Sequence, residues 1–184
     1  MDELAEKTIL KFTKKKKHII HGAQALNKQL PPELRRPTYD YDLWAKKPRL
    51  AMDKLEDLLD KAYGFDAFYE EAIPLADNPD QMVYRVVSRI DGREVADFMK
   101  TPNEKNLYKV IGGIRWETLE HAKKAYKRIL ANPNLRHRWM KARDDLRRIE
   151  AFERQLKKGR IEEKTIPFGA VFVRPIMVRH YATL

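Results

Sequence analysis

Apolar and polar positions alternate with a period that changes along the chain, and each change predicts an element. Leu4, Ile9 and Phe12 within residues 2–17 predict an opening helix that ends in Lys14 to Lys17, where cations suit the helix dipole. The short run His18-Ile19-Ile20-His21, stopped by Gly22, predicts a buried strand. Ala23 to Leu30 predict a helix that cannot pass Pro31-Pro32. Tyr39 to Trp44 follow a period of two, as a strand does. Pro48 opens an amphipathic helix with Leu50, Leu55, Leu58, Leu59 and Ala62 on one side, ended by Gly64. Phe65 to Ile73 predict a strand and Pro74 to Asp80 a loop, followed by strands over Met82–Ile90 and Glu94–Met99 joined by Asp91-Gly92, a strong hairpin signal. After Thr101-Pro102-Asn103 the period becomes helical. Trp116, Leu119, Ala122, Tyr126, Ile129 and Leu130 predict one helix. Leu135, Trp139, Ala142, Leu146, Ile149 and Leu156 predict a second, ending near Gly159. From Ile166 short apolar runs are broken by Pro167 and Pro175, which predicts edge strand or packed coil. The expected class is α+β: a mixed-sheet unit over 1–103, a helical region over 104–160, and a tail over 161–184 that packs on the body.

Composition narrows the class. With 184 residues, 43% hydrophobic, the chain can bury a core. No apolar run approaches the roughly 20 residues of a membrane span, and MDELAEKTIL does not read as a signal peptide. Zero cysteines exclude a disulfide scaffold and thiolate metal sites. A cytoplasmic protein without a membrane partner is expected. The formal net charge of +11 is unevenly placed, since residues 1–103 hold 18 Lys+Arg and 18 Asp+Glu, and residues 104–184 hold 20 and 9. A polyanionic partner for the second half is one reading. A solvated, thermophile-type surface is the other.

Asp40 and Asp42, two residues apart on a strand, leave the same face. Paired carboxylates repel, and hard oxygen ligands converging at one point are what Mg²⁺ takes. Asp97 lies in the apolar strand Val95-Ala96-Asp97-Phe98-Met99, where an acid needs a partner. Three such carboxylates on neighbouring strands can hold two metals about 4 Å apart for phosphoryl transfer. An acid-x-acid pair on an exposed strand is also common without any function. Gly22-Ala23 follows a predicted strand and opens a helix, a place that favours phosphate, although a plain turn has the same signature.

In this order the motifs resemble the DNA polymerase β-like nucleotidyltransferase superfamily. They are His21-Gly22-Ala23-Gln24-Ala25-Leu26-Asn27, Arg36-Pro37-Thr38-Tyr39-Asp40-Tyr41-Asp42, Val95-Ala96-Asp97-Phe98 and Arg138-Trp139-Met140-Lys141-Ala142-Arg143-Asp144-Asp145-Leu146. The nearest flavours look like poxvirus-type poly(A) polymerase subunits and abortive-infection toxin nucleotidyltransferases, over roughly residues 18–150. The resemblance implies a nucleotidyltransferase core followed by a helical half that closes the cleft. It implies that Asp40, Asp42 and Asp97 bind two Mg²⁺ ions, Mn²⁺ being an alternative. It further implies that Asp97 helps deprotonate the attacking hydroxyl, and that Gly22, Ala23, Arg36, Thr38 and Lys141 contact a nucleoside triphosphate such as ATP. The family turn usually carries Gly-Ser or Gly-Gly, so Ala23 departs from it by offering no hydroxyl. The implied reaction moves NMP or dNMP to a hydroxyl, template-independently, with release of pyrophosphate. A nucleic-acid 3′ end is favoured as acceptor by the basic second half, with Arg138, Arg143 and Arg147 as nucleic-acid contacts.

Two other readings stay open at this point: a toxin-type transferase acting on tRNA or protein, and a non-catalytic nucleic-acid binder on the same scaffold. Asp145 is expected to pair with an arginine rather than join the chemistry, and Trp116 and Trp139 to pack in the core. The five histidines have no metal-ligand spacing, and no Walker loop, nucleophile elbow or Rossmann fingerprint is present. Cations interleave with aromatics at Arg115-Trp116, His137–Trp139 and in the tail at Arg174, Arg179, His180 and Tyr181.

Overall fold

The computed structural model describes residues 1–75 and 78–159, so the predicted tail over 161–184 and its cations lie outside the described residues. The strands are β1 (Ile19–His21), β2 (Tyr41–Ala45), β3 (Phe68–Leu75), β4 (Asn78–Ser88), β5 (Glu94–Lys100), β6 (Tyr108–Ile111) and β7 (Ile114–Glu117). They form one sheet in the order β3-β4-β5-β2-β1-β7-β6. It is mixed: β2 runs parallel to β5 and β1 parallel to β7, and the other neighbours are antiparallel. The helices are α1 (Glu3–Lys16), α2 (Gly22–Gln29), α3 (Pro48–Tyr63), α4 (Leu119–Ala131) and α5 (Trp139–Lys157).

Alternation along the central strands assigns the two faces. Ile20, Tyr41, Leu43, Ala45, Val86, Ala96 and Phe98 point to one side and are buried with Ile9, Phe12, Leu55 and Leu59 from α1 and α3. This is the main core, and burial of such side chains stabilises by about 1.5–3 kcal/mol each. The opposite face is covered by α2, α4 and α5, whose Leu26, Leu30, Ala122 and Ile149 make a second, smaller cluster. Its sheet positions are polar at one strand end, where His21, Asp42, Asp97, Arg85 and Glu117 lie.

The structure corrects several sequence expectations. Residues 104–117 are not a helical lead-in but the hairpin β6–β7, turned at Gly112 (φ 62) and Gly113 (φ 79). Strand β7 completes the sheet beside β1, so the sheet runs on past residue 103. Trp116 is buried as a strand residue, and α4 begins only at Leu119, capped by Thr118, whose hydroxyl accepts from the His121 N–H. The loop placed at 74–80 shrinks because β3 carries Pro74 within it, tolerated at a register shift near the edge of the sheet. On α3 the buried positions are Ala51, Met52, Leu55 and Leu59, while Leu50 and Leu58 are exposed. The apolar stripe is thus rotated from the leucine pattern, with Ala51 and Met52 joining Leu55 and Leu59 in the main core.

Candidate active site

The register brings four polar side chains into one row across the sheet. His21 pairs with Asp42, Asp42 with Asp97, and Asp97 with Arg85. Asp40 lies just before β2 rather than in it, and its Oδ1 accepts a 2.8 Å hydrogen bond from the Thr38 hydroxyl. Arg85 grips Asp97 through both oxygens, Nε to Oδ1 at 3.0 Å and Nη2 to Oδ2 at 3.1 Å, and its Nη1 meets Glu94 at 2.5 Å. A carboxylate has about four acceptor lone-pair sites, so Asp97 retains capacity beyond these two bonds.

Asp42 is the frustrated member. Among the described residues no side chain donates a hydrogen bond to it. Burial, then the charge of Asp40, and less so Asp97 and Glu117, push its carboxyl up to about 7, against partial relief from Lys141. A carboxylate that is desolvated, repelled and unpaired is a group that a cation would satisfy. The donor set of Asp42, Asp40 and Asp97 therefore fits a hard divalent ion in chemistry. Their ligating oxygens do not all lie within 4.8 Å of one another; among the described residues the acidic group that does is Glu56, Asp60 and Asp66. That group caps the far end of α3, where Asp60 Oδ1 accepts from the Ala67 and Phe68 N–H groups at 2.9 Å and Asp66 pairs with Arg89.

The turn after β1 is shaped around Asp42. Gly22 has φ 65, and a Cβ there would stand 2.3 Å from Asp42 Oδ2. Glycine is required on both counts. Its N–H donates to Glu117 Oε2 at 3.1 Å, while Glu117 Oε1 lies 2.6 Å from His121 Nδ1. Glu117 first, as hydrogen-bond partner, raises the His121 pKa against burial. No side chain caps the N-terminus of α2, and Ala23 in its first turn is buried. His21 stacks on Trp44 with centroids 4.2 Å apart, and burial first, then His121, Lys141 and Arg138, press its pKa down to about 3.

The segment leading to Asp40 is clamped. Asn27 of α2 donates from Nδ2 to the Arg36 carbonyl at 2.7 Å and accepts from the Arg36 N–H at 3.1 Å. The Arg36 side chain reaches α5, where Nε donates to Asp145 Oδ1 at 3.2 Å, and Arg148 pairs with the same oxygen. Asp145 is fully buried and joins α5 to this loop, as expected of it. A cavity of about 400 Å³ opens beside Asp40, between Arg36, Thr38 and Glu94.

Of the proposed cations, Lys141 on α5 acts electrostatically on both His21 and Asp42, and Arg138, at the end of the short 3-10 turn before α5, acts on His21. Arg143 and Arg147 are exposed, about 160° and 120° around the helix from Lys141 at 100° per residue. Arg85 and Glu117 escaped sequence reasoning. A charged residue inside the apolar strand Val83–Val87 signals the first, and the Gly112-Gly113 turn, which defines β7, signals the second.

No protein-family profile matches the chain, and neither does any curated protein. Among solved structures, the Megavirus polyadenylate synthase superposes with a TM-score of 0.64 at 18% identity, over 82% of this chain and 31% of that one. This chain thus spans about a third of that protein's length. JHP933 from Helicobacter pylori aligns over 85% of this chain and 74% of its own, at 18% identity and a TM-score of 0.45. The mixed sheet and the helical C-terminal part are accordingly a fold shared with the Megavirus polyadenylate synthase.

Proposed function

We propose that the protein is a metal-dependent nucleotidyltransferase that moves NMP or dNMP from a nucleoside triphosphate to a hydroxyl, most favourably a nucleic-acid 3′ end, releasing pyrophosphate. The observation that carries this is the unpaired, charge-crowded Asp42 in register with Asp97 and against Gly22. In this reading Asp40, Asp42 and Asp97 hold Mg²⁺ or Mn²⁺, which would neutralise charge developing on the transferred phosphoryl group. The uncapped start of α2 at Gly22 and Ala23 would offer backbone to the phosphates, which would displace Glu117 from the Gly22 N–H. Arg36 and Thr38 frame the nucleotide cavity beside Asp40, and Lys141 supplies a cation above Asp42. Arg85 positions Asp97. The same likeness in fold accommodates polymerisation and transfer to tRNA or protein, and the basic charge favours nucleic acid.

The test is incubation with each labelled NTP and dNTP, Mg²⁺ or Mn²⁺, and pools of RNA, DNA and protein. Label on nucleic acid, lost in Asp40→Ala and Asp42→Ala, is expected. Transfer retained by either variant would remove the metal assignment.

A further inference from the structure

A second polyanion site is built at the opposite strand end, chiefly from the half of the chain whose net charge is zero, with Arg115 from the other half. Beyond β2, Lys46 stands four residues past Asp42, about 13 Å away along the strand at 3.3 Å per residue. There a cleft of about 460 Å³ opens between the end of α1, the start of α3 and β7. Lys16, Lys17, Lys46, Lys47, Lys54 and Arg115 line it, and no acidic residue does. All five lysines are exposed, and among the described residues none pairs with a carboxylate.

Like charges held together cost free energy unless a counter-charge arrives. Two further observations say what arrives. Helix α3 starts in the cleft with no side-chain cap and no acid in its first turn, so its N-terminal N–H groups and dipole point to the same space. The floor is apolar, formed by Ile19, Leu50, Ala51 and the edges of Phe12 and Trp44, and His18 adds a buried Nε2 without a partner. Arg115 is held in place by its 3.2 Å bond to the Lys17 carbonyl and by stacking over Tyr108. Phosphates on a cationic rim with bases against an apolar floor are how single strands are bound. The cations come from three separate segments around the mouth, which suits a backbone that crosses the cleft better than one compact phosphate.

We propose that this cleft binds the sugar–phosphate backbone of a single-stranded nucleic acid, apart from the carboxylate site. Such binding requires no transfer chemistry, and its test contains no metal ion.

Binding of a fluorescein-labelled oligoadenylate of about 16 nucleotides is followed by anisotropy across a salt series. Wild type is compared with Lys16→Ala/Lys47→Ala/Lys54→Ala and with a control triple, Lys11→Ala/Lys61→Ala/Lys105→Ala, at exposed positions outside the cleft. Thermal melts check that the variants are folded, and Lys→Gln versions replace any that are not. The cleft triple should bind roughly tenfold more weakly or worse, and its plot of log K against log salt should be shallower by about 2, at about 0.7 per phosphate contact. The control should change neither as much. Equal losses in both triples would overturn the proposal. So would binding of ATP alone as tight as that of the oligonucleotide. Loss of affinity for anionic phospholipid vesicles with RNA affinity unchanged would also overturn it, assigning the cleft to a membrane surface instead.

Discussion

Replacing Asp42 by asparagine isolates the electrostatic crowding on which the site reading rests. The folded state raises this carboxyl from 3.8 to about 7, through burial first and then Asp40. A group whose folded pKa is raised contributes stability that is full below its unfolded pKa and is lost as pH rises through the folded one. From pH 5 to pH 8.5 the wild type therefore sheds two pK units of proton binding, about 2.7 kcal/mol at 1.36 kcal/mol per unit. For a chain of this size that is a fall in melting temperature of roughly 5–11 °C. The asparagine of the variant has no such proton to lose, so the melting-temperature difference between variant and wild type should widen in the variant's favour across this range. The assay is calorimetry of both proteins at the two pH values, without divalent ions. His21, held neutral with a pKa near 3, loses stability in the opposite direction, as pH falls below 6.5. It is present in both proteins and cancels in the comparison. Mg²⁺ at pH 8.5 should restore the wild type and leave the variant unmoved. Parallel melting curves at the two pH values would refute the crowding of Asp42.

Three further substitutions address the supports of the site. Gly22→Ala places a Cβ 2.3 Å from Asp42 Oδ2 on a backbone at φ 65, and should cost about 2 kcal/mol or more in urea unfolding. Arg85→Ala frees Asp97 from its bidentate partner and should destabilise by about 2–3 kcal/mol, with Asp97→Asn in the same background recovering part of it. Asp145→Ala strands Arg36 and Arg148 around a buried gap, and a loss of about 3–5 kcal/mol is expected by chemical denaturation. A loss below about 1 kcal/mol would mean that α5 is not anchored to the Arg36 loop through this carboxylate.

The parts of the fold legible in the sequence are those fixed by local periodicity. Strands β1, β2, β4 and β5 and helices α1, α2, α3 and α5 follow from apolar spacing with Gly or Pro punctuation, whereas the alignment of Asp42 with Asp97 comes from the β2–β5 register, which no local period carries. Strand β7 was hidden because Ile114-Arg115-Trp116-Glu117 is short and its Trp116 also fits the helical stripe of α4. Its parallel pairing with β1, almost a hundred residues away, decides its state, and no local pattern carries that. Glu117 matters through Gly22, 95 residues away, which no local pattern carries, whereas Arg85 meets Asp97 across the β4–β5 hairpin and depends on the register of that pair. Charge summed over segments misled in a different way. Residues 1–103 net to zero because acids such as the Asp row and the group at α3's far end offset lysines that include those of α1, of α3 and of the Lys46-Lys47 link converging on one cleft.

Transfer of α-³²P from a nucleoside triphosphate to an oligonucleotide 3′ hydroxyl, with wild type and Asp42→Asn side by side in Mg²⁺, decides whether Asp42 serves nucleotidyl transfer. Labelled, lengthened oligonucleotide is expected with the wild type and at least a hundredfold less, about 3 kcal/mol of transition-state stabilisation, with the folded variant. Equal labelling by both proteins would remove Asp42 from the chemistry.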